Sequence, residues 1–147
     1  MRSREGSHLE KDLSRRVALM KKAVQRVRAL APKVVQRYRE HLKKRIQQAG
    51  VTLTKEDHER LLKEIVIFTD RSDISEELAR LESHFKQYCH FAASKEPVGR
   101  TLDFLAQEMN REINTIGAKA NDAAIAREIV ILKTELEKFR EQTQNVE

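Results

Sequence analysis

Apolar residues recur every three or four positions along most of this chain, which is the spacing of amphipathic helices. Pro32 lies within the first apolar stripe, but Leu30 and Ala31 before it offer no side chain that would cap a new helix. We therefore predict one long helix that kinks at Pro32, rather than two separate helices. The stripe comprises Leu9, Leu13, Val17, Met20, Val24, Val27, Ala31, Val34, Tyr38 and Leu42.

The predicted first helix is long for a chain of this size. Unbroken, residues 9–46 would extend over roughly 57 Å at ~1.5 Å per residue, whereas a compact globule of this length is about 38 Å across. The helix must therefore project from the fold or pack against another subunit. Gly50 is expected to end it.

Two helices are predicted between Gly50 and the middle of the chain. Thr54 and Asp57 form a capping box that opens the second helix, and Ser72 with Asp73 is expected to cap the third. The apolar residues of the second helix cover much of its circumference, so we expect it to be buried: Leu61, Leu62, Ile65, Val66 and Phe68. The stripe of the third helix is Ile74, Leu78, Leu81, Phe85 and Tyr88.

In the last part of the chain, the apolar pattern predicts two more helices after a loop at residues 94–99, which contains Pro97. The fourth helix is expected to stop at Gly117, and Asn121 with Asp122 to cap the fifth. The stripe of the fourth helix is Leu102, Leu105, Met109, Ile113 and Ile116. The fifth has the heptad-like seam Ile125, Ile129, Leu132, Leu136, Phe139 and Val146.

Composition agrees with this pattern. The 147 residues include only 4 Gly and 2 Pro, which suits long helices with few turns. We predict an all-α fold, a helical bundle or array of hairpins in an oligomer. Residues 1–50 would form a long basic helix or kinked helix pair, and residues 51–147 one continuous helical unit.

A single cysteine, Cys89, excludes an internal disulfide. The absence of a signal peptide or long apolar run favours a cytoplasmic protein without membrane contact.

Charge is unevenly distributed along the chain. Residues 1–50 hold 15 Lys and Arg against 4 Asp and Glu, a net charge of +11, whereas residues 51–147 hold 14 against 19, a net charge of −5. Eight cations fall on the side of the first helix opposite its apolar stripe, as phosphate binding requires; a solvated helix face is the alternative. These cations are Arg4, Lys11, Arg15, Lys22, Arg26, Lys33, Arg37 and Lys44.

Acidic side chains on the third and fourth helices suggest chemistry on phosphodiesters. Glu108 and Glu112 lie one turn apart, about 6 Å between their Cβ atoms, and two such carboxylates can share a divalent cation whose bound water attacks a phosphodiester. Surface salt bridges with Arg80 or Arg111 are the alternative. The third helix carries a polar stripe opposite its apolar one: Asp73, Glu77, Arg80, His84 and Gln87.

Several segments resemble the YicC-like family, densely from Asp73 to Glu147 and sparsely before that. They are Asp73–Leu78, Arg80–Leu81, Ser83–His84, Gly99–Leu105, Gln107–Glu112, Asn114–Gly117, Lys119–Asp122, Lys133, Glu135–Lys138, Arg140–Gln142 and Gln144–Glu147, with Met1–Arg2, Glu5–Gly6 and Leu9 at the start. Residues 14–72 match only in helical pattern. Ala118 departs from the family, which usually has a hydroxyl residue there, and the family's N-terminal domain is absent.

The resemblance implies a stress-associated, metal-dependent endoribonuclease that forms homo-oligomers, expected to be hexamers, and acts on RNA with Mn²⁺ or Mg²⁺ and no small-molecule cofactor. It implies catalytic roles for Glu108, Glu112 and His84, and metal binding by Glu5, Asp73, Glu76 and Glu77. RNA contacts would come from Arg100, Arg111, Lys119 and Arg140, and the basic pattern adds Arg15, Lys22 and Arg26. A non-catalytic RNA-binding module and a structural oligomerisation module stay open as alternatives.

Overall fold

Five helices account for most of the chain in the structure, a computed structural model that describes residues 2–94 and 99–145, with side chains from residue 4 onward. They are α1 (Arg2–Ala49), α2 (Lys55–Ser72), α3 (Ser75–Ala93), α4 (Gly99–Ala120) and α5 (Ala123–Thr143). The predicted all-α class is confirmed, and these described residues contain no strand. Pro97 and Val146, which the sequence assigns to a loop and to the last seam, lie outside them. No helix in this part of the chain has a segment long and apolar enough to cross a bilayer.

Helix α1 continues through Pro32, as predicted, and is 48 residues long, which corresponds to roughly 72 Å. Its apolar stripe is buried from Leu13 to Val34 except at Ala31, which is half-buried like Tyr38 and Leu42. The first two thirds of α1 therefore belong to the core, and the last third leaves it.

Helices α1, α3, α4 and α5 form an antiparallel four-helix bundle. Three ion pairs join α1 to α5 with their numbering running in opposite directions: Arg16 to Glu135, Arg26 to Glu128 and Arg37 to Asp122. Helix α3 opposes α4 in the same way through two further pairs, described below. The predicted stripes of α3, α4 and α5 all lie in one core with that of α1, so their burial is confirmed for the described residues.

The end of α1 and all of α2 form a two-helix hairpin that we call the arm, residues 35–72. Gly50 turns the chain with a φ of +64°, and the predicted capping box of Thr54 and Asp57 opens α2. Tyr38 and Phe68 stack with ring centroids 3.8 Å apart. These contacts hold α2 against α1 rather than within the bundle.

The predicted burial of α2 is wrong. No residue of this helix is buried, and the side chains of Leu62 and Val66 are 60% and 59% exposed. Leu61, Ile65 and Phe68 are half-buried. A hairpin of two helices has only one internal seam, so the apolar residues on the other face of α2 stay in contact with solvent.

Two predicted helix boundaries are also wrong. Helix α4 runs past Gly117 to Ala120, because Gly117 lies beside the side chain of Ile129 and tertiary packing offsets its weak helix propensity. The N-cap of α3 is Ile74 rather than Ser72 or Asp73. Asp73 instead accepts a hydrogen bond from the backbone N–H of Ser75 at 3.0 Å. The predicted cap of α5 by Asp122 is confirmed.

Candidate active site between α3 and α4

Polar residues line the groove between α3 and α4 because their spacing follows the helical repeat. Glu77, Arg80 and His84 are three and four residues apart on α3, and Glu112 and Lys119 are seven apart on α4. The antiparallel arrangement places the start of α3 beside the end of α4. We call the groove lined by Glu77, Arg80, Glu112 and Lys119 the α3–α4 seam.

One end of the seam is a buried ion pair. The Lys119 ammonium donates to Glu77 Oε1 at 2.6 Å and lies 3.5 Å from the carbonyl oxygen of Asp73. The Glu77 side chain is only 5% exposed, against 38% for Lys119. The hydrogen bond to Glu77 raises the pKa of Lys119 above its usual value. Glu77 Oε2 is buried without a hydrogen-bond partner in the described part of the chain, so this carboxylate has one oxygen available to a further donor.

The other end is built around Arg80. Its guanidinium lies 3.9 Å from Glu112 Oε1 and also pairs with Glu76, one turn earlier on α3. Glu112 is 5% exposed at its side chain and Arg80 is 55% exposed. The salt-bridge alternative is therefore confirmed for Glu112 and Arg80. The half-exposed Arg80 therefore lies beside two carboxylates, of which only that of Glu112 is buried.

The other predicted catalytic residues lie close by along the same helices. His84 follows Arg80 by one turn of α3, and its Nδ1 is 3.5 Å from Gln87 Oε1. Glu108 precedes Glu112 by one turn of α4. Both side chains are half-buried, so they extend the polar groove beyond the Arg80 end of the seam.

The predicted metal ligands do not come together. Glu5 lines an open pocket near the start of α1 with His8 and Gln142, whereas Asp73 lines another with Ala31, about 39 Å further along α1 at ~1.5 Å per residue.

The remaining metal candidates are engaged by neighbours. Glu76 pairs with Arg80, Glu77 with Lys119, and Asp73 with Ser75. The side-chain and backbone hydrogen bonds from Ser75 hold the pKa of Asp73 below its ordinary value. Within the residues described, no group of three or more His, Cys, Asp and Glu side chains is arranged to hold a metal ion. The predicted ligand set therefore does not fit a common ion in one chain.

The basic stripe of α1 lies on the surface. All eight of its cations are exposed. Arg26 donates to Glu128 at 2.8 Å and Arg37 to Asp122 at 2.6 Å, and no carboxylate of the described chain lies within 4.0 Å of the other six. Arg15 and Lys22 are among the six, whereas Arg26 is partly neutralised.

The cations predicted from α4 and α5 are scattered. Arg100 and Arg111 are exposed on α4. Arg140 on α5 is half-buried, and its Nε is buried without a partner among the described residues. Of this group only Lys119 belongs to the seam. The sequence analysis missed the pairing of Lys119 with Glu77. Lys119 lies seven residues after Glu112, and this spacing, which places the two side chains on one side of α4, was the available signal.

Comparison with known proteins shows the family to which the chain belongs. The family model for the C-terminal part of YicC-like endoribonucleases matches residues 27–147. A probable endoribonuclease YicC of Clostridioides difficile strain 630 is 42% identical over all 147 residues, and one of Haemophilus influenzae Rd is 38% identical over the same length. The alignments cover 50% of each relative, so the chain spans about half the length of the curated relatives it matches. A family-model match over most of the chain, on the helices that form the seam, places this protein in the YicC-like endoribonuclease family.

Proposed function

We propose that this chain contributes the α3–α4 seam of an endoribonuclease that cleaves phosphodiester bonds in RNA. The single observation that carries the proposal is the seam itself, where the half-exposed Lys119 donates a hydrogen bond to the buried Glu77 and the half-exposed Arg80 lies 3.9 Å from the buried Glu112. Fixed cations of this kind stabilise the charge that develops on a phosphoryl group during cleavage. Membership of an endoribonuclease family supports RNA as the substrate.

The carboxylates have two roles in this proposal. Glu77 and Glu112 orient Lys119 and Arg80, because a buried carboxylate fixes the position of the cation it binds. Glu108 is half-buried one turn from Glu112, where it can accept a proton from an attacking hydroxyl. His84 is also half-buried. In this proposal it donates a proton to the leaving oxygen, a role that imidazole side chains commonly have in catalysis.

A requirement for Mn²⁺ or Mg²⁺ is the prediction that came from family resemblance, and among residues 4–94 and 99–145 no cluster of side chains is arranged to hold such an ion. We therefore assign no step to a metal ion. Adding Mn²⁺ or EDTA to the cleavage assay measures the requirement directly.

The test is cleavage of an end-labelled RNA by the wild type and by Glu108→Gln and Glu112→Gln. Each replacement keeps the size of the side chain and removes its charge. We expect Glu108→Gln to slow cleavage by about 100-fold or more, the range of general acid–base catalysis. Glu112→Gln should also slow cleavage, because Arg80 loses the carboxylate that orients it, and RNA affinity should be unchanged in both variants. Glu137→Gln is the matched control, because Glu137 is exposed on α5 outside the seam, and it should cleave at the wild-type rate.

Three results would contradict the proposal. Normal cleavage by both glutamine variants of α4 would remove Glu108 and Glu112 from the reaction. Binding of RNA by the wild type without products, even with Mn²⁺ present, would favour a non-catalytic RNA-binding module. No RNA binding at low salt, together with a stable oligomer in light scattering, would favour a structural role.

The proposal includes a homo-oligomer in the cytoplasm, where RNA is available. The support for self-association is apolar surface, since Leu62, Val66 and Val130 are 60%, 59% and 64% exposed, and exposed apolar groups favour association. Light scattering should give a mass of several chains, and Leu62→Ser with Val66→Ser should lower it. A monomeric wild type would contradict this part of the proposal alone.

A further inference from the structure

Only part of the positive charge of α1 is neutralised by the rest of the fold. Along the bundle, three cations of α1 pair with acidic residues of α3 and α5: Arg16 with Glu135, Arg26 with Glu128 and Arg28 with Glu82. Beyond Arg37, which pairs with Asp122 at the base of the arm, α1 carries four more cations. We call these the arm cations: Arg39, Lys43, Lys44 and Arg45.

The arm cations form no ion pair with the described residues. All four are exposed, and no carboxylate in residues 4–94 or 99–145 lies within 4.0 Å of them. Glu40 is the one acidic residue between Lys33 and Gly50. Four like charges within seven residues of a helix repel one another, so this segment gains stability when a polyanion neutralises it.

The opposite helix of the arm has a different charge pattern. Helix α2 carries four cations and five acidic residues, interspersed along its length. These cations are Lys55, Arg60, Lys63 and Arg71, and the acidic residues are Glu56, Asp57, Glu59, Glu64 and Asp70. The positive field of the arm therefore comes from its α1 side.

From these observations we infer that the α1 side of the arm docks the phosphate backbone of RNA, outside the α3–α4 seam. This inference rests on the proposed function, which it deepens by assigning a substrate-binding surface. Phosphate binding of this kind depends on charge and not on base sequence. The cations of α1 reach from Lys44 back to Arg4, about 60 Å at ~1.5 Å per residue, so RNA held by the arm can continue along the bundle.

The surface chemistry favours RNA over a lipid membrane. A helix that lies in a membrane interface exposes large apolar side chains beside its cations. On the α1 side of the arm, the exposed neighbours of the cations are polar: Gln36, Glu40, His41, Gln47 and Gln48. Tyr38, Leu42 and Ile46 are half-buried, and Tyr38 stacks on Phe68 of α2. The arm cations thus lie on a polar face, as a phosphate backbone requires.

The test compares two variants of the 147-residue chain, each with four cations changed to glutamine. One changes the arm cations and the other changes the four cations of α2, which removes the same charge from the same arm. Glutamine keeps a high helix propensity, and circular dichroism verifies that both variants are folded. Affinity for a fluorescent single-stranded RNA is measured from 50 to 200 mM salt in a Glu108→Gln background, which is expected to cleave slowly, so that binding is read separately from cleavage.

For the arm-cation variant we expect affinity at 50 mM salt to fall by about 10-fold or more. The slope of log K against log salt should become shallower by about 2 to 3, since each phosphate contact with a single strand contributes about 0.7. The α2 variant should lose less than about 3-fold. Polyglutamate should displace the RNA much more weakly than unlabelled RNA does.

Other outcomes overturn the inference. Equal losses in the two variants would show that only net charge matters, and equal competition by polyglutamate would indicate an acidic protein partner. An unchanged salt slope in the arm-cation variant, with normal cleavage by the wild type, would refute the arm while leaving the proposed function intact. A wild-type chain that binds no RNA would refute both.

Discussion

Asp122 joins two parts of the bundle through a single carboxylate. Its Oδ1 accepts from the backbone N–H groups of Ala124 and Ile125 at 3.0 and 3.1 Å, which caps α5. Its Oδ2 accepts from the Arg37 guanidinium at 2.6 Å, which ties α1 to the same turn. Asp122→Ala removes both interactions, whereas Asp122→Asn keeps a capping oxygen and removes the charge.

The expected losses follow from these contacts. Replacing an N-cap Asp by Ala costs about 1 kcal/mol, and losing a negative charge at a helix N-terminus costs ~0.3–1 kcal/mol. Arg37 is 47% exposed, so its ion pair contributes roughly 0–1 kcal/mol. We expect Asp122→Ala to lower the free energy of unfolding by about 1.5–3 kcal/mol. Asp122→Asn should lower it by about 0.5–1.5 kcal/mol.

Urea unfolding followed by helical circular dichroism measures both free energies. At ~2–4 °C per kcal/mol for a domain of this size, Asp122→Ala should also melt roughly 4–10 °C below the wild type. Arg37→Gln in the Asp122→Asn background should add little, because the pair is already broken. If Asp122→Asn were as damaging as Asp122→Ala, the capping argument would be refuted.

Two further predictions concern glycine and pH. Gly117→Ala should raise the free energy of unfolding by about 0.5–1 kcal/mol, because its added Cβ meets Ile129 at an ordinary contact distance of 3.5 Å. Gly50→Ala should lower it, because the φ of Gly50 is +64°; a loss for both or a gain for both in thermal melts would contradict this. The depressed pKa of Asp73 in the folded state stabilises the fold above the ordinary value of 3.8, and this contribution disappears as pH falls through the folded pKa. Asp73→Asn should therefore be less stable than wild type at pH 7, and the difference in unfolding free energy should shrink as the pH falls below 3.8; a difference that stays constant in acid would refute the assignment.

Local patterns predicted most of the helical fold. The three- and four-residue spacing of apolar positions located α1 and α3–α5, and Thr54 and Asp122 marked two helix starts correctly. These features depend on neighbours within a few turns of the same helix. The burial of α2 depends instead on which helices surround it. Leu62 and Val66 have the same spacing on an exposed face as they would have in a core.

The candidate site was only partly predictable for the same reason. The sequence identified Glu112 and named Arg80 as a partner, because both lie on polar stripes. The contact of Glu77 with Lys119 joins residues 42 positions apart, and it follows from the antiparallel packing of α3 against α4. The wide separation of Glu5 from Asp73 likewise depends on the bundle topology, which family resemblance alone did not supply.

Photocrosslinking gives the most direct test of the claim that RNA lies across the α3–α4 seam. RNA that contains 4-thiouridine would be crosslinked to the chain and the attached peptides identified by mass spectrometry. The account predicts crosslinks near Arg80 and Lys119, and Lys119→Gln with Arg80→Gln should reduce them. Crosslinks confined to the outer face of α5 around Val130, with none on α3 or α4, would contradict it.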